Sequence, residues 1–302
     1  MAKRRPTHPW HPLLWPTWAG LGVLWLISRL PWSWQRRLAY VMGWVAFHLL
    51  RVRRHVVLTN LRLCFPELGA EERMALALRH YQSLSLGMLE VGRCWWRPIA
   101  DLPPHRIEGL EHLAAARAKG KGVILLSGHF TTLEITARML ALQAPICCLY
   151  RDPNNVVIAN LMRRHREDWT RRAIAMESLR ELLRSLRDGE TLWYAPDQGR
   201  WTAQSSMLPF LGEPCITNTS ASRLASMTGA AVVTFYGRRE TDGSYLLTLS
   251  KPMENFPTDN PDADTLRIVA ELEVAVRASP EQYLWVHRRF KRRGGEPCPY
   301  DR

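Results

Sequence analysis

From His105 onward the chain alternates short apolar runs with stretches of helical periodicity, and no other feature limits the possible fold as strongly. Residues 123–126, 145–150, 191–195, 231–236 and 245–249 read as strands. Residues 131–142, 155–169, 178–187, 217–227 and 262–278 read as helices between and after them. This order predicts an α/β architecture, a central mixed sheet flanked by helices. Residues 256–261 and the tail after Arg293 look loose.

The first hundred residues differ in kind. Residues 35–63 carry Leu38, Val41, Met42, Val45, Leu49 and Val52 at helical spacing, and 71–92 reads as a further helix. Net charge is unevenly placed. The chain carries +13, yet its first acid is Glu67, and ten Lys or Arg precede it. Nine of the 13 tryptophans lie before residue 97. A basic, Trp-rich N-terminal segment thus joins a nearly neutral body.

Within that segment, residues 13–27 are uncharged, framed by Lys3, Arg4 and Arg5 on one side and Arg29 on the other. Fifteen residues fall short of the ~20 needed to span a hydrocarbon core. Arg-Leu-Pro-Trp-Ser-Trp follows the run, which is no signal-peptidase site. Interfacial tryptophans and basic flanks favour a membrane anchor, a single tilted span or a helix lying in the interface. A buried helix of a globular enzyme is the plainer alternative. The expected division is an anchor over 1–33 and a catalytic domain over 34–302. Of the latter, 34–98 is helical, basic and membrane-facing, and 99–302 is the α/β core. The basic face has no nucleic-acid reader motif beside it, so no nucleic-acid partner is expected.

Six cysteines without a CxxC pair or finger-like histidine spacing argue against structural zinc and against a disulfide framework. Their usage fits a reducing compartment.

The sharpest local signal is the run from Gly122 to Glu134, in which a strand enters Ser127-Gly128, turns, and starts a helix near Thr131. His129 is thereby expected at the carboxyl end of a strand, where open α/β sheets bind ligands. With His129 in the turn and Glu134 in the first helical turns, the carboxylate could reach back to the imidazole and make it a general base. On the pattern alone, a capping loop histidine and an ordinary first-turn acid remain open. No GxSxG elbow, HExxH, P-loop or GxGxxG occurs. A base without a protein nucleophile suggests direct activation of an external hydroxyl.

Several runs together resemble the bacterial lipid A biosynthesis acyltransferases, most closely the lauroyl type. They are Leu-Arg-Leu-Cys-Phe-Pro-Glu at 61–67, Gly-His-Phe-Thr-Thr-Leu-Glu at 128–134 and Tyr150-Arg151. Leu-Trp-Tyr-Ala-Pro-Asp-Gln at 192–198, Pro209-Phe210 and the run from Pro280 to Phe290 complete them. The resemblance covers nearly the whole chain. It implies a catalytic pair of His129 as base and Glu134 as its orienter. The implied donor is an acyl-carrier-protein thioester, and the implied acceptor a hydroxyl on the phosphorylated, Kdo-bearing lipid A precursor. No metal or cofactor is implied. The place implied is the cytoplasmic side of the bacterial inner membrane, among its lipids.

The same resemblance carries Arg151, Asn155 and Arg166 over as substrate-binding or oxyanion residues, and Asp197 with Gln198 as a polar wall of the acceptor site. Asp152 and Gly199 depart from the family pattern, which has proline and a second acid at these places. The basic run at 287–293 could meet acidic carrier protein or lipid phosphate. Another glycolipid or a lysophospholipid as acceptor, and a non-catalytic membrane or nucleic-acid-binding protein, are the rival readings.

Overall fold

A computed structural model describes residues 8–199, 201–291, 295 and 297–301. The basic residues Lys3, Arg4, Arg5, Arg292 and Arg293 lie outside the described residues.

Four helices open the chain. They are α1 (Trp15–Ser28), α2 (Trp32–Leu49), α3 (Arg51–Cys64) and α4 (Ala70–Trp96). Pro31 separates the first two, since the residue before a proline disfavours helical backbone. The helix expected over 35–63 is two helices, broken at Leu50, whose φ and ψ of −86° and 58° leave the helical region. The start of α4 is fixed by Glu72, whose carboxylate accepts the Gly69 N–H at 2.7 Å. α2 lies directly against α4. A Cβ at Gly43 would stand 2.4 Å from the Gln82 Cα, so only glycine allows this approach.

The core is a seven-stranded sheet in the order β1-β9-β8-β2-β5-β3-β4. Its strands are β1 (His105–Glu108), β2 (Val123–Leu126), β3 (Cys147–Tyr150), β4 (Arg172–Ala175), β5 (Thr191–Tyr194), β8 (Ala231–Arg239) and β9 (Tyr245–Leu249). A separate hairpin pairs β6 (Ser205–Phe210) with β7 (Glu213–Asn218). The sheet is mixed, because β9 runs antiparallel to β8 while β2 runs parallel to both its neighbours. Every residue of β2 is fully buried, as expected of a central parallel strand covered on both faces.

Alternation along the strands builds two cores. Val123, Leu125, Trp193 and Phe235 face one layer with α5 (Leu110–Ala118), α6 (Leu133–Ala141) and part of α7 (Val156–Glu167). Ile124, Leu126, Leu192 and Val232 face the other, with α8 (Leu179–Arg187), α9 (Ser220–Thr228) and Ile268 of α10 (Pro261–Ala278). Leu14 and Leu21 enter the first core, so the N-terminal helix shares its packing with the sheet layer. A third core joins α2, α3 and α4 to the hairpin and to Tyr283, Trp285 and Phe290.

The anchor expectation needs one correction. No helix among the described residues is long and apolar enough to cross a membrane. The 14 residues of α1 reach about 21 Å against a hydrocarbon core of ~30 Å. Its outer face nevertheless leaves Trp15, Val23 and Leu26 exposed, and α2 leaves Trp34, Tyr40, Val41 and Trp44 exposed.

Candidate active site

His129 and Asp197 meet because β2 and β5 are neighbours in register. Leu126 pairs with Tyr194, and each chain then runs three residues beyond that pair to reach its site residue. The Ser127 N–H donates to the Tyr194 carbonyl at 2.9 Å and extends the pairing into the loops. Asp197 Oδ1 accepts from His129 Nδ1, and Oδ2 accepts the His129 backbone N–H at 2.9 Å. The Tyr283 hydroxyl adds a third donor, 3.0 Å from Oδ2. Asp197 is buried, whereas the His129 side chain is 29% exposed. With Nδ1 held as the donor, Nε2 carries the lone pair of the neutral ring.

Charge follows geometry. Burial favours neutral His129, but the adjacent Asp197 charge and its hydrogen bond outweigh that and raise the imidazole above its ordinary 6.5. Burial would raise Asp197, and the imidazole beside it overrides this to hold the carboxyl below the usual carboxylate range. This is an imidazole oriented by a buried carboxylate at the mouth of a sheet, competent as a general base.

The carboxylate expected beside the imidazole was Glu134, and the structure pairs it with Arg166. Glu134 lies in the first turn of α6, but its carboxylate points toward the first core. It accepts from Arg166 Nη2 at 2.6 Å and Nε at 3.3 Å, and from the Trp95 indole at 3.5 Å. Both members of this forked pair are about nine-tenths buried. Five residues of spacing, part turn and part helix, carry Glu134 away from the imidazole.

Other expected residues are scattered. Arg166 is engaged by Glu134. Asn155 caps α7, its Oδ1 accepting from the Val157 and Ile158 N–H groups, while its Nδ2 donates to Thr17 at 2.8 Å. Arg151 follows β3 at the surface and pairs with Glu177 at 3.4 Å. Gln198 does join His129 and Asp197, lining the same small cleft. Asn155 and Arg166 thus each have protein partners.

The cleft has further walls that the sequence reading did not assign. Asn60, Tyr283, Trp285, His287 and Arg289 line it. The C-terminal strap arrives by pairing with the turn that holds His129. The Thr131 N–H donates to Gln282 at 2.8 Å, and the Leu284 N–H to the His129 carbonyl at 2.9 Å. Asn60 pins the strap by donating to the Trp285 and His287 carbonyls at 2.7 and 2.8 Å. Sequence held one pointer to this wall, the run from Pro280 to Phe290.

A family model described as bacterial lipid A biosynthesis acyltransferase matches residues 2–292. The chain belongs to that family. It is 34% identical over 294 residues to the lipid A biosynthesis lauroyltransferase of Escherichia coli K12, covering 96% of each chain. To the lipid A biosynthesis palmitoleoyltransferase of the same organism it is 36% identical over 287 residues, covering 94% of this chain and 93% of the other. A solved structure, the 1-acyl-sn-glycerophosphate acyltransferase of Thermotoga maritima, aligns over 87% of this chain and 97% of its own, with 15% identity and a TM-score of 0.40. In this lipid A acyltransferase family member, His129 stands against a carboxylate from the loop after the neighbouring strand β5.

Proposed function

We propose that this protein transfers a fatty acyl group, lauroyl by preference, from an acyl-carrier-protein thioester to a hydroxyl of the phosphorylated, Kdo-bearing lipid A precursor. The observation that carries the reading is the His129–Asp197 pair at the carboxyl end of the central strand, opening on a cleft. No serine, threonine or cysteine is among the described residues lining that cleft. The acceptor hydroxyl therefore acts as the nucleophile.

In this reaction His129 Nε2 removes the hydroxyl proton as the oxygen attacks the thioester carbonyl. Asp197 stabilises the imidazolium that forms and keeps the ring oriented. Collapse of the tetrahedral intermediate re-forms the carbonyl, breaks the C–S bond, and lets the imidazolium return its proton to the departing thiolate. Asp197 takes the orienting role in place of Glu134, which instead locks Arg166 and the start of α6. Arg151, exposed just after β3, and Gln198, lining the cleft, are the acceptor contacts we retain.

The acceptor is presented at a bilayer, and the N-terminal helices suit that setting. Exposed tryptophans on α1 and α2, beside basic residues and no acid before Glu67, fit an interfacial helical pair lying on an anionic leaflet. The inner membrane, with the catalytic body on its cytoplasmic side, is the location we propose.

Purified protein incubated with lauroyl, myristoyl and palmitoleoyl carrier-protein thioesters and the Kdo-bearing precursor tests this directly. Lauroyl transfer abolished by His129→Ala is the expected result. An unchanged acyl count in lipid A from a deletion strain would sink the acceptor assignment in favour of another glycolipid or a lysophospholipid.

A further inference from the structure

Among the described residues, buried arginines are answered by acceptors, with one exception. Arg166 meets Glu134, Arg239 meets Glu90, and Arg93 donates to the Asp101 carbonyl. Arg289 is only 6% exposed, yet its Nε, Nη1 and Nη2 are buried with no hydrogen-bond partner among the described residues. Its guanidinium lies over the Phe210 ring at 4.1 Å, which fixes its plane and offsets part of the charge. A desolvated cation whose donors are unmet is costly, and such a group persists where something else supplies the acceptor.

Arg289 lines the same cleft as His129. That cleft measures about 10 Å³, room for roughly one water-sized atom. A phosphate with its four oxygens does not fit such a space, but a single oxygen does. Next to a base that activates a hydroxyl, a lone oxygen carrying negative charge has an obvious source.

We infer that Arg289 is the oxyanion-binding residue of the acyl transfer, an assignment that rests on the function proposed above. When the acceptor oxygen bonds to the thioester carbon and its proton passes to His129, the carbonyl π pair moves onto the carbonyl oxygen. That oxygen becomes the anion the guanidinium faces. On collapse the pair returns, the C–S bond breaks and the thiolate takes the proton from His129. The ground-state carbonyl offers little charge to Arg289, so the interaction strengthens chiefly as the transition state forms. The same cation works against protonation of His129, which keeps more of the base in its active form.

The test is steady-state transfer by Arg289→Met and Arg289→Lys with the carrier-protein thioester and the Kdo-bearing precursor. Loss of one oxyanion donor lowers kcat about 10²- to 10³-fold with KM little changed, and lysine recovers part of it. Millimolar guanidinium added to Arg289→Ala restores part of the rate, which no purely structural role would give. Thermal melting of Arg289→Met at or above the wild-type temperature accompanies this, because a buried charge without an acceptor has been removed. A rise in acceptor KM at unchanged kcat would instead make Arg289 a ground-state site for substrate phosphate and overturn the assignment. Unchanged kinetics in all three variants would overturn it outright. Wild-type protein that transfers no acyl group from any thioester would remove the reaction itself, a failure distinguishable from the variant results.

Discussion

His129 and Asp197 meet just beyond the carboxyl ends of adjacent parallel strands, each three residues past the Leu126–Tyr194 pair. One residue of slippage between β2 and β5 would send the Asp197 side chain to the other face of the sheet edge. The register that fills the core with Leu126 and Tyr194 is thus the register that sets Asp197 beside His129.

Replacing Asp197 with asparagine should separate orientation from basicity. Burial, the largest influence on His129, lowers its pKa, as do Arg289 and Arg166, and Asp197 alone reverses the balance. Without that charge the imidazole falls below 6.5. Neutral imidazole is the active form, so the rising limb of the pH–rate profile moves to lower pH while its plateau drops about 10³-fold. A wild-type limb retained at its original pH would refute the assignment.

Glu134→Gln should behave otherwise. It leaves Arg166 charged and buried without its partner, a change that typically costs about 3–5 kcal/mol of stability. Chemical denaturation should show that loss, and activity per folded molecule should fall less than in Asp197→Asn. The opposite ranking, with the pH limb moved by Glu134→Gln alone, would return the orienting role to Glu134.

Stability near low pH should report Asp197. Its carboxyl is depressed in the folded protein, so its contribution is present above the ordinary carboxylate range and fades as acid protonates it. Urea midpoints of wild type and Asp197→Asn should differ most at neutral pH and converge toward pH 2.

Gly87→Ala should couple helix packing to catalysis. A Cβ there would lie 2.3 Å from the Thr131 carbonyl oxygen, in the turn that presents His129. Separating α4 from that turn should cost roughly 1–3 kcal/mol by overpacking. It should also lower kcat, whereas an alanine at Gly20, which meets nothing within 4 Å, should leave kcat unchanged.

Vesicle sedimentation should reveal the docking face. Binding should favour anionic over neutral vesicles, weaken in high salt, and drop roughly fivefold for Trp34→Ala and for Trp44→Ala. Equal binding to zwitterionic vesicles, indifferent to both changes, would rule out an interfacial role for this face.

What the sequence disclosed follows from local physics. The apolar run of β2 and the turn after it are local, so residues 123–126 and the placement of His129 were legible. The strands β1, β4, β6 and β7 were not, because the polar His105–Glu108, Arg172 and the Ser205–Ser206 start break the apolar pattern and the hairpin lies off the main sheet. Asp197 was visible as a polar residue ending a strand, yet its partner depends on which strands neighbour each other. Strand order is not written in periodicity. Glu134 illustrates the converse, since closeness in sequence suggested a contact that the start of α6 turns aside. Arg289 lay within a run that reads as surface charge, and only the strap pinned by Asn60 shows that one of its arginines is enclosed.

The hydrogen bond from Asn155 to Thr17 bears on how the molecule can be handled at the bench. A version trimmed to begin at Arg29, made to ease extraction, would lose more than a sticky appendage. It would strip Leu14 and Leu21 from the layer that packs against β2, each worth about 1.5–3 kcal/mol of burial. It would also leave the Asn155 amide at the head of α7 without its hydroxyl. Preparation of the intact chain is the safer route, because the N-terminal helix is also masonry of the sheet layer.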